Sequence, residues 1–271
     1  MRLTAYEKDV RREIEKWQRG DASMIAQAFN FVMKPVDWVV EQTVPDEVVD
    51  QAGEAVEQFL AVLNDASKWT VDDSDLVAAA QRQGLEVETV EELREESLEQ
   101  LDEMARSFFT ENTMLAALGG GSTGLGGVVF IAADIPILFT LNFRLIQQIA
   151  GAYGFPMSSP EYRPIVLSIY NAAASGGRDA RNAALREVSV AAAAFANDMT
   201  YKGRVRGTFR DQNRHLPREI AKNIVGRKLA QIIPLAGAAI GAGINYWFTN
   251  ETAQTAYMFF RALYLEHKER L

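Results

Sequence analysis

The 271-residue sequence predicts an all-α fold, a multi-helix bundle with two glycine-rich apolar helical segments. Three observations carry this reading. Apolar residues recur three or four positions apart along most of the chain, which puts them on one face of a helix. No stretch alternates apolar and polar residues as a half-buried strand does, and the short valine runs sit inside helical periodicity. Two uncharged runs of about 20 residues, the length at which a helix crosses a hydrocarbon core of about 30 Å, carry clustered glycines.

In chain order, Leu3, Tyr6, Val10, Ile14 and Trp17 predict an amphipathic helix over 3–19. Residues 22–42 are rich in large apolar groups, among them Phe29, Phe31 and Trp38, with Pro35 interrupting the helix. Pro45 suits the first position of a helix running to about Ser67. Residues 72–103 hold twelve carboxylates against Arg82 and Arg94. Thr89 and Glu92 there have the spacing of a capping box, and the run reads as a solvated helix face without the spacing of a calcium loop.

The first apolar segment is Met114–Ala133 and the second is Leu229–Asn250. Between them the pattern predicts an amphipathic helix around 136–153, with Asn142, Arg144, Gln147 and Gln148 on its polar side, a helix in PEYRPIVLSIYNAAA, and an alanine-rich helix near 180–200. The organisation expected is an acidic helical region over 1–110 and a glycine-rich helical core over 111–271, built together as one unit.

Charge separates these regions. Residues 1–112 hold 11 Lys+Arg and 26 Asp+Glu, and residues 113–271 hold 17 and 10, for a net charge of −8 over the chain. Such asymmetry suits halves that pair with each other or face different partners. Several chemistries are excluded by composition. No cysteine is present, which removes disulfides, thiolate nucleophiles and cysteine-ligated clusters. His215 and His267 are the only histidines, too few for a three-histidine zinc site. No cofactor, metal or catalytic residue is expected, and no secretory signal is visible in MRLTAYEKDVRREIEKW.

The glycines at 119–124 fit two familiar patterns. Gly119, Gly121 and Gly124 have dinucleotide-loop spacing, and Gly120, Ser122 and Gly124 that of a nucleophile elbow. Both need a strand before the turn, and the residues preceding these read as helix. Close helix packing accounts for them better: Gly120 with Gly124, and Gly237 with Gly241, are small residues four apart, extended by Gly121, Gly127 and Gly243. Asp134 and Pro136 close the first segment, where Asp134 suits an N-cap or a buried polar group facing Arg144 or Asn245.

Directly before the second apolar segment lie Lys202, Arg204, Arg206, Arg210, Arg214, Arg218, Lys222, Arg227 and Lys228, against only Asp211 and Glu219. A basic stretch beside an apolar one suits contact with an anionic membrane surface. Pairing with the acidic run at 86–103 is the alternative. Nucleic acid is not expected as a partner, since no binding motif occurs and the pI is about 5.0.

Several motifs occur in a shared order. ALGGGSTGLGG, ADIP and RLIQQIAGAYG, then IPLAGAAIGAGINYWFT and TAYMFFRALYL, resemble the glycine-rich core of the EcsC family over about 112–267. VPDEVV at 44–49 is a weaker point, while 1–43 and 70–110 carry no resemblance. Gly120, Gly121, Gly124, Gly127, Asp134, Pro136, Tyr153, Gly154, Pro234, Gly237, Gly241, Gly243 and Asn245 match the pattern. The resemblance implies a bacterial protein with membrane-associated helices, in a family named after a protein encoded beside an ABC-type exporter, and it brings no catalytic residue.

The function expected is therefore a non-enzymatic bacterial protein on the cytoplasmic side, associated with the inner face of the membrane and accessory to an ABC-type transport system. A mean hydropathy of −0.10 favours peripheral association over several spans. Two alternatives stand beside it: a soluble bundle binding a lipid or other apolar ligand between its glycine faces, and a hydrolase using Ser122 or Asp134.

Overall fold

Thr4 starts the first helix. Its hydroxyl accepts the amide of Glu7 at 3.2 Å, and the Glu7 carboxylate accepts the amide of Thr4 at 2.8 Å. This reciprocal cap satisfies two amides that a helix start leaves open. The helix, α1 (Ala5–Arg19), turns Val10 and Ile14 to the core and ends at Gly20. The structure, a computed structural model, describes residues 3–20, 54, 71–123, 128–157, 163–175, 179, 182, 185, 186, 188–196 and 237–271. The helices expected over 22–42 and 45–67 lie outside the described residues, Glu54 apart, as does the basic stretch 201–228.

Asp72 caps α2 (Asp73–Arg82) by accepting the amide of Ser74 at 2.9 Å. The capping pair at Thr89 and Glu92 forms in part. The Glu92 carboxylate accepts the amides of Glu88 and Thr89 at 2.7 and 3.4 Å, but the helix that follows is a short 3-10 turn, Glu91–Glu95. The chain restarts at Ser97, whose hydroxyl accepts the amide of Gln100, and enters α3 (Leu98–Thr123). Then come α4 (Val128–Ala152), α5 (Arg163–Ser175), α6 (Val188–Ala196) and α7 (Gly237–Arg270). The described residues thus form seven α-helices and no strand, as the periodicity predicts.

α7 is the axis. Its 34 residues run about 51 Å at 1.5 Å per residue, and it packs on α1, α3, α4, α5 and α6. Its second half is almost wholly buried, with Phe259, Phe260, Leu263 and Tyr264 in the core beside Leu101, Phe139, Ile146 and Tyr170 from its neighbours. Side-chain pairs give the directions. Asp102 meets Arg261 and Tyr153, Arg106 meets Tyr257, and Asn112 meets Gln148, so α3 runs against both α4 and α7. Asn142 meets Thr249, so α4 and α7 run together.

Three expectations are corrected. The segment 114–133 is not one helix: Met114–Thr123 closes α3, and Val128–Ala133 opens the antiparallel α4. Asp134 is not an N-cap, because α4 begins six residues earlier and continues through Pro136. The proline removes one backbone bond without ending the helix. Finally, Asn142, Gln147 and Gln148 do not face water. All three are buried and only Arg144 of that set is exposed. No helix among the described residues is long and apolar enough to cross a membrane.

Candidate functional site

The glycine-rich positions gather at one end of the bundle. Gly120 and Gly121 lie in the last turn of α3, Asp134 and Pro136 in the early turns of α4, and Gly237, Gly241, Gly243 and Asn245 in the first turns of α7. The antiparallel path of α3 brings its C-terminal end to the N-terminal ends of α4 and α7. Gly124, Gly127 and Pro234 lie outside the described residues. Asn245 is buried. Arg144, offered as a partner for Asp134, stands ten residues along the same helix, about 15 Å away, which excludes a direct pair. Ser122 belongs to the helical end of α3, so neither the dinucleotide loop nor the nucleophile elbow has the strand it requires.

This end carries exposed apolar side chains. Met114, Leu115, Leu118, Ile137 and Tyr246 are 61%, 49%, 72%, 60% and 40% exposed, and Leu271 at the chain's end is the one other large apolar residue so exposed among the described residues. Isolated exposed apolar residues are ordinary on protein surfaces; here five, from three helices, lie at one end of the bundle.

A second polar centre lies at the opposite end, and sequence reading missed it. Asp102, counted there among solvated carboxylates, is 1% exposed. Its Oδ1 accepts the Tyr153 hydroxyl at 2.6 Å and Arg261 Nε at 3.1 Å. Its Oδ2 accepts the Tyr6 hydroxyl at 2.6 Å and Arg261 Nη2 at 2.7 Å. Arg261, also 1% exposed, reaches Glu13 through Nη1 at 2.7 Å and lies 4.4 Å from the Tyr257 ring centre. The Tyr257 hydroxyl accepts Arg106 Nε at 3.1 Å. The cluster joins α1, α3, the turn after α4, and α7.

The electrostatics describe a tie rather than a reactive centre. Burial and then the Asp102 charge push the Tyr153 hydroxyl well above the ordinary phenol range. Burial, with a smaller contribution from Asp102, pushes Tyr257 up to about 12. Burial alone would lower the Arg261 pKa, but the hydrogen bonds and charge of Asp102 outweigh it and hold the guanidinium charged. Both carboxylate oxygens are already occupied by donors, so the group has no open position for a substrate. One signal in the sequence could have found it: Asp102 stands four residues after Leu98 and three before Ala105, inside the apolar stripe.

α1 is further tied to the end of α7 by Glu7 to Lys268 at 2.6 Å and Arg11 to Glu269 at 2.7 Å. Glu7 with Lys268, like Asp102 with Arg261, pairs an acid of the first half with a base of the second, one of the two arrangements the charge asymmetry suggests, while Arg11 with Glu269 is the reverse. Glu7 is 2% exposed. Burial alone would raise its pKa, but the bonds from Lys268 and the Thr4 amide outweigh burial and leave the carboxyl below its ordinary value of 4.5. A depressed folded pKa adds stability that is complete above the unfolded value and is lost as pH falls through the folded one. Glu7→Gln is therefore expected to flatten the acid limb of a Tm-against-pH curve below about pH 4.5. An unchanged acid limb would remove Glu7 from this role.

Between α4, α5 and α7 lie buried polar atoms without hydrogen-bond partners: Asn142 Oδ1, Gln147 Oε1, Thr252 Oγ1 and the Tyr170 hydroxyl. Tyr170 stands among Phe139, Phe143 and Phe248, and burial raises its pKa well above the ordinary range. No group of three His, Asp or Glu side chains among the described residues could hold a metal.

A family model described as the EcsC protein family matches residues 8–265. In Bacillus subtilis strain 168, the uncharacterized protein YdbA is 25% identical over 258 residues, covering 92% of this chain and 89% of YdbA. Protein EcsC of the same organism is 26% identical over 160 residues, 59% of this chain and 62% of that protein. No solved structure matches the chain. The family match takes in α1 and the acidic region, where the motifs alone carry no resemblance.

Proposed function

The chain belongs to the EcsC protein family, and from that premise we propose that it is a non-enzymatic protein that docks on the anionic, cytoplasmic face of a membrane through the glycine-rich end of its bundle. The observation that carries this is the exposed set Met114, Leu115, Leu118, Ile137 and Tyr246. Water contact at an apolar patch is unfavourable, at about 25 cal/mol per Å², and a bilayer relieves it without requiring any one helix to span. The nine bases of 201–228 precede the second apolar segment directly and suit the lipid headgroups there. An accessory role beside an ABC-type transporter fits this location.

Co-flotation with liposomes tests the reading. Binding is expected to need anionic lipid and to persist at high salt, because apolar contact survives screening and a purely electrostatic contact does not. Absence of flotation with any lipid would overturn it. That result would favour a second reading, a soluble bundle holding an amphipathic ligand, whose support is the unpartnered Tyr170 hydroxyl and Asn142 carbonyl. Native mass spectrometry would then show a co-purifying lipid.

A further inference from the structure

Three helix ends share one zone whose single acidic or basic residue is Asp134. On α4 no residue from Val128 to Phe143 is ionisable except Asp134, and Arg144 is the next charge. On α7 no residue from Gly237 to Asn250 is acidic or basic, and Glu251 follows. Because Asn142 bonds Thr249 in helices that run together, Arg144 and Glu251 stand at one level. Beyond that level α4 extends about 24 Å and α7 about 21 Å at 1.5 Å per residue. After Glu111, α3 adds no charge up to its end at Thr123. Its Leu118 lies near the level of Tyr246, since Arg106 meets Tyr257 across the antiparallel pair.

A depth of about 21–24 Å is too short to cross a hydrocarbon core of about 30 Å, but it matches one leaflet with its headgroups, half of about 40–45 Å. We propose that the bundle inserts end-on into a single leaflet, with Arg144 marking the water line and Leu118, Ile137 and Tyr246 below it. This rests on the membrane reading above and adds the depth and orientation of the contact. Arg144 is exposed, and its long side chain can reach back to the headgroups. The single carboxylate of the zone, Asp134, stands about 15 Å along α4 from Arg144, so this depth requires it to be protonated or shielded by the bundle. The Asp102–Arg261 cluster and both α1 and the end of α7 then stay in water.

The chain has no cysteine, so single-cysteine variants can carry an environment-sensitive fluorophore at one place each. Label is placed at Leu118, Ile137 or Tyr246, with Ser107 and Glu269 as aqueous controls. Vesicles contain phosphatidylcholine and phosphatidylglycerol, with nitroxide lipids at shallow or deep positions. On co-floated protein, the three end labels are expected to shift to the blue and to be quenched by nitroxides of the facing leaflet, while the controls stay unshifted. Co-flotation with all three labels remaining aqueous would overturn the insertion and leave membrane binding intact. Reduction of an end label by an impermeant reductant trapped in the lumen would overturn the one-leaflet depth. Failure to co-float would overturn both readings. Independently of labels, Leu118→Glu with Ile137→Glu is expected to lower vesicle partition at least about tenfold. Circular dichroism would confirm retained helix in that variant, and unchanged partition would count against insertion.

Discussion

Arg261→Met is expected to destabilise the protein by about 3–5 kcal/mol, the usual cost of removing one member of a buried ion pair. That is a large part of the 5–15 kcal/mol that holds a typical domain folded. The substitution leaves the Asp102 carboxyl, 1% exposed, without its guanidinium and supported only by the hydroxyls of Tyr6 and Tyr153. Asp102→Leu is expected to cost as much, because it strands the guanidinium and both hydroxyls. The pair Asp102→Leu with Arg261→Met removes both charges, and its cost is expected to fall below the sum of the single changes. It does not return to zero, since the Tyr153 hydroxyl, fully buried, keeps no acceptor; adding Tyr153→Phe recovers part of the remainder. Urea unfolding followed by circular dichroism measures all four. A cost below about 1 kcal/mol for Arg261→Met would show that the cluster does not tie the bundle. The Glu13 contact is not what matters here, because that side chain is 57% exposed and water screens it.

That cluster shows where sequence reading stops. The helical class was legible because faces repeat every three or four residues, and α1 and α5 fall where the pattern puts them. Partners were not legible. Arg261 is 159 positions from Asp102, and nothing local marks the match except one charge inside each apolar stripe. Asn142 and Gln148 were misplaced for the same reason. Each looks solvated by type, yet inside the bundle the Asn142 amide nitrogen donates to Thr249 and the Gln148 carbonyl accepts from Asn112. Length misled at 114–133, since about 20 uncharged residues fit one span or two helix ends equally well. Glycine spacing pointed to close helix packing, but periodicity alone could not reveal that α3 arrives at the starts of α4 and α7 from the opposite direction.

Gly154 is the other position where a small change is expected to have a large effect. The turn after α4 closes with the amide of Phe155 on the carbonyl of Ala150 at 3.0 Å, and that of Gly154 on Gly151 at 2.9 Å. This ending requires a left-handed residue, and Gly154 has φ +79°. A Cβ there would stand 2.5 Å from Arg94 Cγ, 2.7 Å from the Arg94 backbone nitrogen and 3.2 Å from the Val90 carbonyl. The side chain of Arg94 can move, but its backbone is held by the turn Glu91–Glu95. Gly84 is the natural control. It has φ +83° in a similar turn after α2, with nothing within 4 Å of its would-be Cβ. Gly84→Ala is expected to cost only the conformational term, about 1 kcal/mol. Gly154→Ala adds the backbone collision and is expected to cost about 2–4 kcal/mol. The collision also pushes on the neighbouring Tyr153, which donates to Asp102, so Gly154→Ala and Tyr153→Phe are expected to be non-additive while Gly84→Ala and Tyr153→Phe add. Equal costs for the two alanine variants would mean that the approach of Arg94 to Gly154 relaxes freely, and that the turn is demanded by backbone conformation alone.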